Sequence, residues 1–139
     1  MKRSCIFLCV IPFVAFAQWQ VVEKDRLEAR IEIFYRAMFS LDLETMYALH
    51  APLIRSTIDF ESWKKDIVVD ENGADALEST IRQFDIQNYD WCGDYGKEFR
   101  CIVVVHLVVG TDGVVEEGDL KALWIYQDDD WYFGMELHH

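Results

Sequence analysis

The sequence has little proline, and basic residues are far outnumbered by acidic ones. Two prolines, Pro12 and Pro52, occur in 139 residues, and 13 lysines and arginines stand against 25 aspartates and glutamates. This excess of negative charge disfavours binding to nucleic acid or to an anionic membrane, because phosphate groups repel it. An excess of negative charge is typical of an ordinary solvated acidic surface, and it would also attract a basic protein partner.

The sequence also lacks the motifs that hold metals and phosphates. No H-x-x-x-H, H-E-x-x-H or C-x-x-C spacing occurs, and there is no glycine-rich phosphate loop. His138 and His139 end the chain and either bind metal weakly or are a cloning remnant. The run 128–130 is three aspartates, which suit a hairpin turn better than a calcium loop with its many oxygen ligands. We therefore expect no metal and no cofactor.

The first 17 residues have the pattern of a secretory signal peptide. Two basic residues precede an apolar run from Cys5 to Phe16, and an A-x-A pattern ends at Ala17. The run is too short to span a bilayer comfortably, and a buried first strand or helix is the alternative. We predict cleavage after Ala17 and a single exported domain over residues 18–139, either periplasmic or secreted.

Cleavage would change both the charge and the cysteine content. It would remove Lys2 and Arg3 but no acid, so 11 basic residues would face 25 acidic ones and the net charge would be −14. It would leave Cys92 and Cys101 as the remaining cysteines.

Apolar periodicity predicts three helices in the first half of the chain. From Val22 to Leu41 apolar residues recur every three or four positions, which is the stripe of an amphipathic helix. The stripe consists of Leu27, Ile31, Phe34, Met38 and Leu41. Asp42 is a candidate cap for a second helix, Leu43 to His50, which Pro52 would end. A third helix is expected after Asp59, a candidate N-cap.

The second half of the chain predicts strands. Four candidates are joined by short turn-like links: Thr80–Trp91, Glu98–Val109, Glu116–Tyr126 and Trp131–Leu137. Consecutive strands with tight connections form an antiparallel meander. Helices followed by a meander predict an α+β fold, with three N-terminal helices on one face of a curved four-stranded sheet.

Two predicted turns set the register, a type II′ turn at Gly96-Lys97 and a type I′ turn at Asp112-Gly113. On the first strand this register directs Phe84, Ile86, Asn88, Asp90 and Cys92 toward the helices, and Gln87, Tyr89 and Trp91 outward. The outer face is half apolar and is a candidate homodimer surface. There His106 is expected opposite Asp119, with Gln87 on its other side, as a structural cross-strand pair.

The order and pattern of these elements resemble the nuclear transport factor 2-like superfamily, the cystatin-like cones. The resemblance covers Glu23 to Leu137 and is carried by the break "SLDLETMYALHAP" and the strand pair "ALWIYQDDDWYF". It implies a curved sheet around the helices, often with a pocket inside. Members include steroid isomerases and polyketide cyclases, binding proteins and toxin-immunity proteins, so the fold does not select the function.

The resemblance implies two kinds of site. A steroid-isomerase-like site would use Tyr35 as oxyanion donor and Asp59 as base, although Asp59 also fits a helix cap. A pocket between sheet and helices would be lined by Tyr35, Trp63, Asn88, Asp90, Trp124 and Tyr126.

The stretch "DWCGDYGKEFRC" is open to three interpretations: a metal knuckle, a redox pair or a hairpin disulfide. The C-x8-C spacing has no partner pair, and the predicted register sets Cys92 directly opposite Cys101 at a non-hydrogen-bonded position. Export would supply an oxidising compartment. We therefore predict a disulfide.

Together these patterns favour an exported, non-enzymatic binding module. Its ligand would be a small apolar molecule in the cone or a basic protein, which includes the case of an immunity protein that masks a basic toxin. A small lyase or isomerase that uses Tyr35 and Asp59 is the alternative.

Overall fold

The computed structural model describes residues 23–70 and 79–137, with the side chains of residues 68–70 excepted. The predicted signal peptide, the polar connection around residue 73 and the terminal pair His138 and His139 lie outside these residues.

Four helices form the first half of the described chain. The described part of α1 covers residues 23–40, and it is followed by α2 (Leu43–Ala48), α3 (Pro52–Thr57) and α4 (Phe60–Asp70). The two predicted caps are present, since Asp42 accepts a hydrogen bond from the Thr45 N–H and Asp59 accepts one from the Ser62 N–H. Each side chain satisfies a backbone donor that the helix itself leaves unpaired.

Pro52 begins a helix, whereas the sequence predicted only that it ends one. It occupies the first turn of α3, where its missing N–H costs nothing because that position has no intrahelical acceptor. The prediction of three helices therefore missed this short fourth one.

The strands form one antiparallel meander in the order β1-β2-β3-β4, which confirms the predicted α+β class. Their bounds are Thr80–Tyr95, Glu98–Thr111, Val114–Gln127 and Asp130–Leu137. Each of the first three strands is longer than predicted, because the pairing continues up to the two turn residues.

Apart from Leu41, the described residues with left-handed backbone lie in the three hairpin turns. Asp112 and Gly113 have φ of 48° and 80°, as the predicted type I′ turn requires. At the first turn Gly96 has φ of 64°, which fits a type II′ turn. Asp128 and Asp129 have φ of 51° and 63°, so two of the three consecutive aspartates are turn residues.

The predicted register holds along the whole of β2 and β3, from Phe99 opposite Tyr126 to Thr111 opposite Val114. Between β1 and β2 it holds from Tyr95 back to Trp91, and then three register shifts follow. Each shift inserts a residue into β1 and exchanges the two faces beyond it.

The face prediction for Asn88 and Asp90 was therefore wrong. Asn88 pairs with Val104 on the outer face, and the Asp90 carboxylate lies 2.8 Å from the Lys121 ammonium. Tyr89, expected outside, lies opposite the fully buried Val103, and its hydroxyl donates to the Glu28 carboxylate of α1 at 2.8 Å. This hydrogen bond between α1 and β1 stabilises the shifted register.

An aromatic cluster centred on Phe34 of α1 joins the helices to the sheet. The Phe34 ring stacks on Phe133 at 4.3 Å and meets Trp124 edge-on at 5.7 Å. Leu27 and Ile31 of the predicted stripe are buried with it, whereas Leu41 is exposed because it terminates α1 with φ of 61°. Fully burying one such large side chain contributes about 1.5–3 kcal/mol.

Two arginines of α1 hold the turn between β3 and β4. Arg30 donates to the Trp131 carbonyl at 2.9 Å and lies 3.5 Å from the Asp130 carboxylate. Arg26 lies 3.7 Å from the same carboxylate and donates to the Asp129 carbonyl. The aspartate run is therefore held by turn geometry and by helix cations.

The outer edge of β4 is covered by the link between α2 and α3. The Phe133 N–H donates to the Leu49 carbonyl at 2.8 Å, and the Ala51 N–H donates to the Phe133 carbonyl at 3.0 Å. His50 lies between them as a parallel bridge to Phe133.

Cys92 and Cys101 form a disulfide across β1 and β2, which confirms the predicted pairing. Their Cα atoms lie 4.1 Å apart, and the bond joins residues nine positions apart. It lies beside the first turn, in the part of β1 where the predicted register holds.

Replacing both Cys92 and Cys101 with serine should lower the free energy of unfolding by about 2–3 kcal/mol, because the unfolded chain regains the freedom of a short loop. Urea unfolding of residues 18–139 measures the loss, and the reduced wild-type chain is the control. Two free thiols in the intact mass of the exported, untreated protein would contradict the bond.

Candidate binding surface

Tyr35, the predicted oxyanion donor, lies in the core. It is 2% exposed and packs against Phe34 and Phe84, with ring centroids at 5.6 and 6.5 Å. Burial, with a smaller effect from the Glu136 charge, raises the pKa of Tyr35 above its ordinary value. Its neutral phenol is thus a packing element of the helix–sheet interface.

Asp59, the predicted base, is exposed at the start of α4 and is engaged as a cap. The Ser62 N–H lies 2.8 Å from its carboxylate, and hydrogen bonds from the Ser62 backbone and side chain lower the pKa of Asp59. A carboxylate stabilised in this way is a weaker base. Tyr35 is buried in the core, whereas Asp59 is exposed and bonded to Ser62, so the two groups lie in different environments.

Of the six predicted pocket residues, four belong to the core or pack against it and two lie on the outer face. Trp63 and Trp124 are buried, at 7% and 0% exposure, and both belong to the aromatic core. The indole N–H of Trp124 finds no acceptor in the described part of the chain, so packing alone holds that ring. Tyr126 is half-buried beside Trp131, while Asn88 and Asp90 face outward.

His50 is a buried histidine to which the sequence patterns assign no specific role. Its imidazole lies 5.0 Å from the Phe133 ring and 5.3 Å from the Trp63 ring, and its Nδ1 lies 2.7 Å from the Met46 carbonyl oxygen. Burial lowers the pKa of His50, against the opposing effect of the Met46 hydrogen bond. The ring is therefore a neutral core residue, and its Nδ1–H donates to the helix carbonyl.

His106 forms the predicted cross-strand pair on the outer face. Its Nδ1 lies 2.7 Å from the Asp119 carboxylate and its Nε2 lies 3.5 Å from the Glu117 carboxylate. The hydrogen bond to Asp119, helped by both negative charges, raises the pKa of His106. Its neighbour on β1 is Asp85, whereas Gln87 was predicted, because the register has shifted there.

The outer face combines exposed aromatic and apolar side chains with paired charges. Trp91 and Met135 are 43% and 53% exposed. Arg100 lies 2.7 Å from the Glu98 carboxylate, and its guanidinium is 4.2 Å from the Tyr95 ring centroid. With the Asp90–Lys121 pair, these contacts neutralise much of the charge locally. A homodimer through this face stays a prediction.

The hairpin between β2 and β3 is rich in acidic side chains, two of which contact His106. No lysine or arginine occurs between Arg100 and Lys121. This stretch holds four acids, Asp112, Glu116, Glu117 and Asp119, and all four are exposed. We call the end of the sheet formed by the β2–β3 hairpin the distal end. It is therefore a concentrated source of negative potential.

A cleft of about 250 Å³ opens at the distal end. Its apolar walls are Phe39 of α1, Leu107 and Val109 of β2 and Leu120 of β3, and its polar rim includes Ser79 and Glu116. Sequence reasoning missed this cleft. The available signals were a glycine inside a strand at position 118 and the long stretch without a basic residue.

In residues 23–70 and 79–137, no three His, Cys, Asp or Glu side chains are arranged to hold a metal ion. None of the helices in these two segments is long and apolar enough to cross a membrane.

Comparison of the chain with protein-family models gave no match. Comparison with curated proteins gave none either.

If Asp59 serves as a helix cap, Asp59→Ala should lower the melting temperature by roughly 5 °C, because α4 loses a partner for a free N–H. Asp59→Ser should keep most of the stability, since a serine hydroxyl accepts the same hydrogen bond. Thermal unfolding followed by circular dichroism measures both. Equal losses in the two variants would contradict the capping role.

The two histidines should give opposite pH dependences of stability. The lowered pKa of His50 means that its neutral form stabilises the fold above about pH 6.5, and that this contribution falls as the pH drops. The raised pKa of His106 means that its charged form stabilises below about pH 6.5, and that this contribution is lost as the pH rises through the folded value.

Urea midpoints measured from about pH 8 to about pH 5 test these signs. His50→Gln should reduce the loss of stability on acidification, and His106→Gln should increase it. Two variants that change the slope in the same direction would contradict the assignment.

Proposed function

We propose that this chain is an exported, non-enzymatic binding module whose partner is a basic protein. The observation that carries the proposal is the distal end, where four exposed acids occur in a stretch without lysine or arginine. Such a surface attracts a positively charged partner, speeds its association and repels acidic competitors. An immunity protein that masks a basic toxin is one form of this function.

The distribution of the cations supports the distal end as the binding surface. Arg26 and Arg30 lie near the Asp130 carboxylate of the β3–β4 turn, and Arg100 and Lys121 are paired on the outer face. In residues 23–70 and 79–137 no ion pair involves Asp112 or Glu116, the two hairpin acids that His106 does not contact.

The filled core supports a protein partner over a small apolar ligand in the cone. Phe34, Phe133 and Trp124 occupy the space between helices and sheet in direct ring contact. A ligand-sized pocket in that position would require these rings to move.

The states of Tyr35 and Asp59 support a non-enzymatic role. The phenol is buried in the core, and the carboxylate is an exposed cap with a lowered pKa. The enzymatic alternative would need these two groups to face one substrate.

Export is supported by the signal-peptide pattern and by the disulfide. Disulfides form and persist mainly outside the reducing cytosol. The Cys92–Cys101 bond joins the cysteines that would remain after cleavage at Ala17.

Residues 18–139, immobilised through the N-terminus, should capture a basic protein from the exported proteins of the source cells. The captured protein should bind more weakly as salt rises, because the screening length falls from about 10 Å at 0.1 M to about 3 Å at 1 M. Calorimetry with the purified partner measures the affinity.

Two variants with the same change in net charge locate the surface. The distal triple variant D112N/E116Q/E117Q should bind the partner about tenfold more weakly or worse at low salt, because it removes three charges from the contact. The helix triple variant E44Q/E61Q/D66N should bind like the wild type. Capture of neutral or acidic proteins only, or equal losses in both variants, would contradict the proposal.

A further inference from the structure

We propose that the distal cleft is a subsite for one alkylammonium group, the chemistry of a lysine side chain presented by the basic partner. The identity of that partner rests on the proposed function, whereas the chemistry of the cleft rests on its own walls. The aliphatic stem would lie on Phe39, Leu107 and Val109, and the ammonium would meet the carboxylate of Glu116.

The volume of the cleft limits what it accepts. At about 250 Å³ it is smaller than the roughly 300–1,000 Å³ of pockets that bury drug-sized molecules. A single long side chain fits this space, and a steroid-sized molecule does not.

The walls match the stem of a lysine. Leu107 is 3% exposed and belongs to the core, while Phe39, Val109 and Leu120 are partly buried against it. These side chains give the cleft an apolar base continuous with the core. A lysine buries its methylene groups on such a surface and keeps its charge at the rim.

Glu116 is the rim carboxylate on the correct face. It pairs with Val109 across the β2–β3 ladder, and paired residues direct their side chains to the same face of a sheet. Val109 packs against the core, so Glu116 borders the cleft. Glu117 and Asp119 point to the opposite face, where they contact His106. Within the described ranges no ion pair involves Glu116, so its charge stands available for a cation.

Gly118 keeps the cleft open. It lies opposite Leu107 in the ladder, in the middle of a strand, where glycine weakens pairing. A Cβ added at Gly118 would meet no atom within 4 Å. The glycine is therefore not required by a tight contact or by a left-handed backbone, and its missing side chain leaves room beside the apolar walls.

Pentylamine is the probe, because it reproduces a lysine stem and its ammonium. Titrated into ¹⁵N-labelled residues 18–139 with the disulfide intact, it should shift the backbone amide signals of Leu107, Val109 and Gly118. Pentanol at equal concentration should bind more weakly, because it lacks the charge, and pentanoate should not bind.

Three variants test the parts of the site. Glu116→Gln should weaken pentylamine binding about tenfold, the loss of one charge-assisted hydrogen bond. Glu44→Gln, which removes an exposed acid of α2, should have no effect. Gly118→Val should abolish binding without lowering the melting temperature, since valine suits a strand and meets open space.

Shifts away from the cleft, equal binding of pentanol and pentylamine, or equal losses in Glu116→Gln and Glu44→Gln would each overturn the subsite. Its failure is separable from that of the proposed function. A basic partner that depends on the distal acids while pentylamine does not bind refutes the cleft alone. Binding of pentylamine through Glu116, with no basic partner captured, refutes the proposed function alone.

Discussion

The contact between the Phe34 ring and the sheet determines where this protein has room to bind anything. Phe34 touches Trp124, Phe133 and His50 with ring centroids between 4.3 and 5.8 Å, and it comes from the helix that spans the sheet. Because these rings fill the middle of the helix–sheet interface, the larger polar groups expected there have been displaced or neutralised. Tyr35 is protonated and packed, and His50 is neutral. Open space occurs at the end of the sheet, where a strand carries glycine in place of a side chain.

The charged side chains are also distributed differently between the distal end and the rest of the molecule. Helix α1 supplies arginines to the β3–β4 turn, and Arg100 and Lys121 find acids on the outer face. The distal hairpin itself contains no lysine or arginine, and Arg82 of β1 lies beside Gly110 at its base. His106 contacts two of its acids, and in the described part of the chain Asp112 and Glu116 form no ion pair. The cleft and the acidic hairpin therefore lie at the same end of the molecule.

Local chemistry made much of the fold predictable from the sequence. The turns at Gly96, Asp112-Gly113 and Asp128-Asp129 depend on residues that adopt left-handed backbone, and a turn fixes the register beside it. The prediction was therefore correct along β2 and β3 and at Cys92–Cys101. It failed on β1 beyond Trp91, because the shifts there depend on distant contacts such as the one between Tyr89 and Glu28. Asn88 and Asp90 were assigned to the wrong face for that reason, and the resemblance to a cone superfamily stays a prediction.

The edges of the sheet also bear on aggregation of the chain. Backbone hydrogen bonds from Leu49 and Ala51 occupy β4 at Phe133, and three register shifts bend β1 at the other edge. Both features interrupt the straight row of unpaired backbone groups to which a strand of another chain could pair. Such a row is the template on which chains polymerise. The link between α2 and α3 therefore also occupies the backbone of the β4 edge at Phe133.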